Sequence, residues 1–585
     1  METILGFIEA IGGILWGPWT PLVLLAAGLL FTVWTRFTQA ASMTHGVQVV
    51  RGVYDDPDDP GAISHFQALS AALSATVGLG NIGGVALAIG IGGPGAVFWM
   101  WLVAVFGMAL KSVEITLAMM YRNTDDPDNP HGGAMWVVDE VIGKKGGGMK
   151  VLAKLIGGFF CVTLIISTFT GGNMFQAWSV AGLTETYFDV PKIATGIIMA
   201  VIVGLVIIGG IKRIGNVAGK VVPFMCLLYL LAGLAVVALH ITDIPSMFAL
   251  IFTSAFSPTE AAGAFIGGGV GFAFMEGMKR SLFSNEAGQG SAPIAHAAAK
   301  TNEPAREGIV GGLGPFIDTI CICTLTAMVI LSTGTWNRDA IGVVAAPVNL
   351  VAAEGDADHL VWNVEGPSDV GSLPKGEYET WSVGDTFYLI ANVAGAVEAG
   401  KERTVVKITG SIREVAGDSD EAAKGMEVVW DPLKVAKADW IGTIGSIKLM
   451  NLGVHRQYGG AELTGHAFDR AFKGLGKWLV TLAAWLFAIS TMISWSYYGE
   501  QGVVYLAGKR GILPYKIVFL ILVVVAAVGI KDAQEMIIIM DLGTGAMLWS
   551  NIPIVLGLGY LAVREMNQYM RKLKAGEFKR YDKEK

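Results

Sequence analysis

Long apolar runs, separated by short polar segments, dominate the chain. An α-helix needs roughly 20 residues to cross the hydrocarbon core of a bilayer, and about eleven runs reach or approach that length. They fall at 17–40, 66–90, 95–121, 152–181, 193–210, 217–240, 264–295, 309–333, 475–507, 513–530 and 534–563. The last run could be broken near Asn551 and Pro553. The pattern therefore predicts an all-α polytopic membrane protein.

Two of these runs carry more glycine and polar residues than an ordinary membrane helix. They include "ALSATVGLGNIGGVALAIGIGGPG" at 72–95 and "AFIGGGVGFAFMEGMKRSLFSNEAGQGS" at 264–291. Each glycine costs a helix interior roughly 1 kcal/mol relative to alanine, and hydrocarbon offers no water to a free backbone group. If the first run is an extra helix, these two begin successive groups of five. That placement predicts a five-plus-five inverted repeat with two broken helices and a mid-membrane site; glycine-mediated helix packing is the alternative.

A polar stretch at 335–470 interrupts the apolar pattern between the eighth and ninth runs. Within it, "DTFYLIANV" and "RTVVKITGSI" are rich in β-branched, partly alternating residues, which is typical of strands. We predict a small β-rich insert here, with a loosely ordered loop as the alternative. The predicted organisation is a membrane domain at 1–334, the insert, the rest of the membrane domain at 471–563, and a basic tail at 564–585.

Basic residues predict the orientation in the membrane. They follow the first, third, fifth, seventh and ninth runs and are frequent in the tail, whereas the alternate short loops hold little beyond Lys192 and Lys531. The positive-inside rule then puts the N-terminus and the insert outside and the C-terminus in the cytoplasm. Because no basic region precedes the first run, we expect a retained span in the cell membrane and no signal peptide.

Composition excludes several other classes of protein. The chain is 53% hydrophobic and 16% charged, whereas soluble domains carry about 25% charged residues. The four cysteines lie inside apolar runs and the eight histidines have no metal-ligand spacing. Neither a nucleophile–base pair nor a catalytic metal set is recognisable, so we expect neither an enzyme nor a nucleic-acid partner. A channel would need rings of polar residues in an oligomer; a non-transporting sensor stays an alternative.

Several motifs resemble the alanine or glycine:cation symporter family, also called sodium:alanine symporters. The similar stretches are 75–101, 111–122, 211–217, 282–293, 322–334 and 490–500. They cover nearly the whole membrane part but not the insert. The resemblance implies the five-plus-five fold and import of alanine or glycine with sodium or, in some members, a proton. The chain departs from the family pattern at Leu79 and Ser281, beside the expected site, and in "GGAMWVV" at 132–138.

The resemblance also implies a substrate site at the first broken helix. The backbone around Thr76, Val77 and Gly78 would contact the substrate carboxylate, and an amide would donate to it from another helix. The substrate-binding residues implied are Thr76, Val77, Gly78, Gln176, Phe283, Thr491 and Trp495. A packed glycine kink, an interhelical hydrogen bond and ordinary aromatic core packing are the structural alternatives.

Sodium is the co-transported ion that the resemblance implies, with no organic cofactor. The ligands would be backbone carbonyls of the first broken helix, one amide oxygen and two adjacent hydroxyls. The implied sodium ligands are Ser74, Val77, Asn81, Ser490 and Thr491. Asn81 could instead cap the broken helix, and hydroxyls in membrane helices usually bond back to their own backbone.

Charged residues also lie within the apolar runs, although each costs about 2.5–3.5 kcal/mol at the centre of a bilayer. Lys111 and Glu114 are three residues apart and can pair on one helix. Four further charges lie between 276 and 286 in the second glycine-rich run. They would form either a cytoplasmic gate or a buried structural network, and we assign none of them to the substrate.

Overall fold

The computed structural model describes residues 2–125, 130–257, 270–355, 359–375, 381, 385–394, 404–414, 425–436, 448–458, 460–530 and 533–581. The chain separates into two compact units. The helical unit comprises Met1–Phe256, Gly271–Thr333 and Gly460–Lys585, and the insert unit comprises Ser257–Val270 and Gly334–Gly459.

Helices make up the described part of the helical unit. Those before residue 258 are α1 Glu2–Leu15, α2 Trp19–Trp34, α3 Thr38–Ala41, π1 Ser42–Gly46, α4 Val47–Val50, α5 His65–Thr76, π2 Gly80–Gly84, α6 Val85–Gly92, α7 Gly95–Met120, α8 Ala134–Val141, α9 Gly148–Phe169, π3 Thr170–Met174, α10 Phe175–Phe188, α11 Lys192–Ile207, α12 Gly210–Leu239 and α13 Ile244–Phe256. Those after residue 269 are α14 Val270–Asn285, α15 Ala292–His296, α16 Pro304–Gly311, α17 Leu313–Pro315, π4 Phe316–Cys323, α18 Thr324–Ser332, α19 Gly460–Ala471, α20 Gly476–Ala507, α21 Ile512–Gly529 and α22 Ala533–Ala575.

Eight helical stretches are long and apolar enough to cross a membrane, or nine if one bent pair counts as a span. The described residues therefore hold fewer candidate spans than the eleven predicted. One reason is α11, which is apolar but has only 16 residues. Another is the predicted run 264–295, because its first residues, 264–269, lie outside the described part. The polytopic helical fold is confirmed, whereas the count of eleven and the inverted repeat stay predictions.

Both glycine-rich runs leave helical geometry. In the first, α5 starts with a capping box between Ser64 and Gln67, ends at Thr76, and continues as π2 and α6 at an angle of 52°. In the second, α14 ends at Asn285, and the following segment has φ angles of 56° at Glu286, 86° at Gly288 and 81° at Gly290. Glycine adopts such positive φ angles without the steric cost that a Cβ brings.

The last helix is longer than the apolar run that predicted it. Helix α22 continues through Asn551 and Pro553 without ending, and it reaches Ala575. The predicted tail at 564–585 is therefore helical in its first half. Proline is tolerated inside membrane helices because neighbouring helices and side chains satisfy the backbone groups that it frees.

The insert unit forms two antiparallel sheets, one with the strand order β1-β8-β4-β5-β6 and one with the order β2-β3-β7. The strands are β1 Gly342–Val343, β2 Asn349–Ala353, β3 His359–Glu365, β4 Thr386–Ala394, β5 Thr404–Glu414, β6 Met426–Trp430, β7 Leu433–Ala436 and β8 Lys448–Gln457. Its own apolar core contains Trp362, Phe387 and Ile408. The predicted boundary at residue 470 lies in α19, which groups with the helical unit, so the sheets end earlier than expected.

Candidate functional site

A small buried cavity lies inside the helical unit, beside both helix breaks. Six of the seven predicted substrate-binding residues line it: Thr76, Gly78, Gln176, Phe283, Thr491 and Trp495. The space open to the centre of a water-sized sphere is only about 10 Å³. The seventh residue, Val77, is buried but is not part of the lining, and its N–H donates to the Leu73 carbonyl at 2.7 Å.

Glycines let the cavity walls approach one another closely. A Cβ on Gly78 would lie 2.7 Å from Thr491 Oγ1, and one on Gly80 would lie 3.0 Å from the Phe283 ring. Behind the lining residue Trp495, a Cβ on Gly172 would lie 2.4 Å from Trp495 Cγ. Any larger residue at these positions would therefore push the cavity walls apart or fill the cavity.

Two side-chain oxygens at the cavity have no hydrogen-bond partner within the described residues. They are Gln176 Oε1 and Thr491 Oγ1, and both are buried. The amide nitrogen of Gln176 donates to the Gly171 carbonyl at 3.1 Å. The open oxygen of Gln176 is an acceptor, and because its NH₂ group has a second N–H, the expected donation to the substrate carboxylate stays a prediction. Because a buried unpaired oxygen costs about 1–3 kcal/mol, each of these atoms is suited to meeting a ligand.

The five implied sodium ligands fall into separate groups. Ser74 Oγ donates to the Ser490 carbonyl at 2.7 Å, and Ser490 Oγ lies 3.4 Å from the Ser74 carbonyl. Ser490 also bonds back to the Phe487 carbonyl at 2.9 Å, as isolated serines in membrane helices commonly do. Together with the neighbouring Thr491, this pair places three oxygen-bearing side chains at the contact between α5 and α20.

Asn81 lies in a different environment. Its Oδ1 accepts a hydrogen bond from the Gly78 N–H at 2.8 Å, so it caps the chain at the first break. Its Nδ2 donates to Ser284 Oγ and to Asp318 Oδ1, both at 2.9 Å. The hydrogen bond shows the capping role; because an amide oxygen has a second lone pair, the sodium role of Asn81 stays a prediction.

Further lining residues were not assigned to the cavity from the sequence. They are Ala75, Gly80, Ser167, Gly171, Glu286, Gln289 and Thr544. The signal for Glu286 was present, because it is a charged residue in the segment after α14. Thr544 gave no such signal in the sequence. In the structure its hydroxyl bonds back to the Met540 carbonyl. The family departures Leu79 and Ser281 are not among the lining residues.

Comparison with known proteins gives a consistent assignment. A model of the Sodium:alanine symporter family matches residues 1–354 and 437–583. The sodium/alanine symporter AgcS of Methanococcus maripaludis is 42% identical over 327 residues, which are 56% of this chain and 70% of the relative. An uncharacterized transporter of Haemophilus influenzae is 30% identical over 577 residues, which are 98% of each chain.

A third relative has a name that includes a second ion. The putative sodium/proton-dependent alanine carrier protein YrbD of Bacillus subtilis is 38% identical over 334 residues, which are 57% of this chain and 66% of the relative. The match to the family model covers nearly all of the three segments of the helical unit and leaves out most of the insert. The chain therefore belongs to the sodium:alanine symporter family and is a multi-pass membrane transporter.

Proposed function

We propose that this protein imports alanine or glycine together with sodium by alternating access, with the cavity as its substrate site. The observation that carries this proposal is the convergence of Thr76, Gly78, Gln176, Phe283, Thr491 and Trp495 on one small space between two helix breaks. The family and the names of its members support the choice of alanine as substrate and sodium as driver.

The cavity offers complementary groups to a zwitterionic amino acid. Gly80, the first residue of the half-helix that begins with π2, lines the cavity. The N-terminal end of a helix carries a partial positive charge, which attracts a carboxylate. The Gln176 Oε1 and the Glu286 carboxylate are acceptors for the ammonium group. The rings of Phe283 and Trp495 leave room for only a small side chain.

We place sodium at the contact between α5 and α20. The Ser74 carbonyl and the hydroxyls of Ser490 and Thr491 are hard oxygen ligands, which sodium prefers, and Thr491 Oγ1 has no partner within the described residues. A neutral zwitterion moves no net charge, so one sodium ion makes each cycle electrogenic. Its inward movement through 100 mV supplies about 2.3 kcal/mol, enough for roughly 45-fold accumulation of alanine.

The direct test is uptake of labelled alanine into proteoliposomes. Thr491→Ala removes one proposed ligand and should raise the sodium concentration needed for half-maximal uptake. Thr481→Ala is the matched control, because Thr481 lies on the same helix, is also buried and does not line the cavity. If choline replaces sodium without loss of uptake and a pH gradient drives accumulation, the protein is a proton symporter. Binding without any uptake would instead make it a sensor.

We also propose that the N-terminus and the insert face outward and that the C-terminus is cytoplasmic. The support is the distribution of basic residues, which follow alternate spans and fill the segment after residue 563. Single cysteines introduced at the two ends and in the insert should react with a membrane-impermeant maleimide according to this arrangement. Labelling of the C-terminal cysteine from outside would reverse the assignment.

A further inference from the structure

One face of helix α20 carries a row of buried polar groups. Thr491, Ser494, Tyr498 and Gln501 follow one another at helical spacing, which places them on the same face. All four side chains are buried. Within the described residues, the hydroxyls of the first three and the Nε2 of Gln501 have no hydrogen-bond partner. We call these four residues the polar row.

The polar row begins at the cavity. Thr491 lines the cavity and so does Trp495, whose ring centroid lies 5.4 Å from that of Tyr498, with the two rings edge to face. Tyr498 itself is not among the lining residues, so it lies directly behind the cavity wall. From there the row continues towards the end of α20 at Ala507. A molecule that left the cavity in this direction would meet the row first.

Aromatic rings cover the far end of the row. Gln501 Oε1 lies 2.6 Å from His131 Nδ1, and the His131 ring is stacked with that of Trp136, their centroids 5.9 Å apart. The Trp136 ring also meets Tyr505 edge to face, one helical turn beyond Gln501. The Lys154 ammonium lies over the Tyr505 ring, and its side chain is exposed. The row and its cover therefore connect the cavity with the surface of the helical unit.

We propose that the polar row is the route by which a small zwitterionic amino acid leaves the cavity, with a transient subsite for its carboxylate at Ser494, Tyr498 and Gln501. Hydroxyl and amide groups are neutral donors, so they can meet a carboxylate without the cost of burying a second charge. A buried donor without a partner is unfavourable, and a passing carboxylate removes that cost at each step. The route is closed in this conformation, because the row is buried and the rings cover its end.

The opposite face of α20 provides the contrast. Ser496 is buried and its hydroxyl also has no partner in the described part of the chain, but at about 100° per residue it lies roughly 140° around the helix from Thr491. The Ser496 carbonyl accepts the Tyr515 O–H at 3.0 Å, which ties this face to α21. An open hydroxyl alone therefore does not define the route. Position on the row defines it, and Ser496 is the matched control for Ser494.

This inference rests on the proposed function and on the proposed orientation. The row runs towards the end of α20 that is followed by Lys509 and Arg510, which the basic residues assign to the cytoplasm. Alanine would reach the cavity from the other side of the membrane and leave along the row. Release would then require His131 and Trp136 to move away from the end of the row.

The decisive measurement is the reactivity of single introduced cysteines in the full-length protein in proteoliposomes. Ser494→Cys should react with a small membrane-impermeant thiol reagent added on the side of the C-terminus. The modified protein should still bind labelled alanine but no longer take it up, because the block lies outside the cavity. Ser496→Cys should react no faster than the four native cysteines of the wild type. Equal reactivity of the two introduced cysteines would overturn the route.

Conservative variants give a second measurement that needs no labelling. Tyr498→Phe and Ser494→Ala each remove one hydroxyl and should lower kcat for uptake about 2- to 12-fold, the net worth of one hydrogen bond to the passing carboxylate. Equilibrium binding of alanine should stay unchanged, since neither residue lines the cavity. Ser496→Ala should change neither quantity. If both row variants keep the kcat of Ser496→Ala, the row is not the route.

The results separate the route from the proposed function. Sodium-driven alanine uptake that survives full modification of Ser494→Cys would overturn the route and leave the function intact. A block of uptake with binding preserved supports the route, whether sodium or a proton drives the wild-type protein. Absence of any alanine uptake by the wild type would overturn the function and the route together.

Discussion

Replacement of Gly78 by alanine should change which amino acid the protein prefers. Gly78 lines the cavity, and its backbone does not have a positive φ, so alanine is sterically allowed in the chain itself. The added Cβ would lie 2.7 Å from Thr491 Oγ1 and 3.8 Å from Gln176 Oε1, the two oxygens without partners. The methyl group therefore enters the space that we assign to the substrate.

The size of the effect follows from how tightly this space is packed. Only about 10 Å³ is open to the centre of a water-sized sphere, so one methyl group overpacks the site. Overpacking costs about 1–3 kcal/mol, which corresponds to a roughly 5- to 140-fold loss in apparent affinity for alanine. Glycine lacks the methyl group and should lose less, so its uptake relative to alanine should rise.

The assay is competition between labelled alanine and unlabelled glycine in proteoliposomes. Gly90→Ala is the matched control, because Gly90 lies in the half-helix after the same break and a Cβ there meets no atom within 4 Å. That substitution should leave the ratio of the two substrates unchanged and can stabilise the helix by up to about 1 kcal/mol. At saturating sodium, equal losses for alanine and glycine in Gly78→Ala would refute the assignment of the cavity to the substrate.

Three further changes test other parts of the structure. Trp495→Ala removes the ring that packs on Gly172, so leucine should begin to compete for alanine uptake; continued exclusion of leucine would contradict the size argument. A Gly/Ser linker in place of 342–457 should preserve uptake, because the cavity lies wholly in the helical unit, and loss of alanine binding in the folded deletion would contradict this. Burial and nearby Arg338 lower the pKa of His455 to about 4. Since the unfolded insert takes up this proton at about pH 6.5 and the folded insert does not, the protection factors of the insert amides against hydrogen exchange should fall from pH 6.5 towards 4, and His455→Gln should reduce that fall.

Much of the fold follows from one-dimensional rules. Apolar runs mark the spans because every backbone group in hydrocarbon must bond within its own helix. Alternation of β-branched residues marked β4 and β5, which pair from Thr386 opposite Ser411 to Val393 opposite Thr404. Helix ends were harder to place, as α22 shows, because polar residues such as Arg564 can continue a helix beyond the membrane. The length of a helix after it leaves the apolar layer depends on local propensity and packing, and an apolar pattern does not report these.

The candidate site, like the fold, could be predicted from the sequence only in part. Glycine at Gly78 and Gly80 pointed to a break, and the family resemblance supplied partners on distant helices such as Gln176 and Trp495. By contrast, nothing in the sequence joined Asn81 to Asp318, which is 237 residues away. Their contact depends on tertiary packing between π2 and π4. The Asn81 oxygen that the family resemblance assigns to sodium therefore also accepts the Gly78 N–H, a contact that the sequence pattern did not indicate.

The π segments explain why helical periodicity does not predict contacts such as the one between Asn81 and Asp318. Three of them, π2, π3 and π4, contain Asn81, Gly171 and Asp318 respectively, whereas π-helix forms well under 1% of ordinary globular proteins. A π turn fits one extra residue into the helix, so every later side chain is displaced by about 100° from the face that a 3.6-residue period predicts. In π4, Asp318 faces Asn81 and Ser284. The irregular turns π2 and π3 lie where the substrate site is proposed, since Gly80 and Gly171 line the cavity.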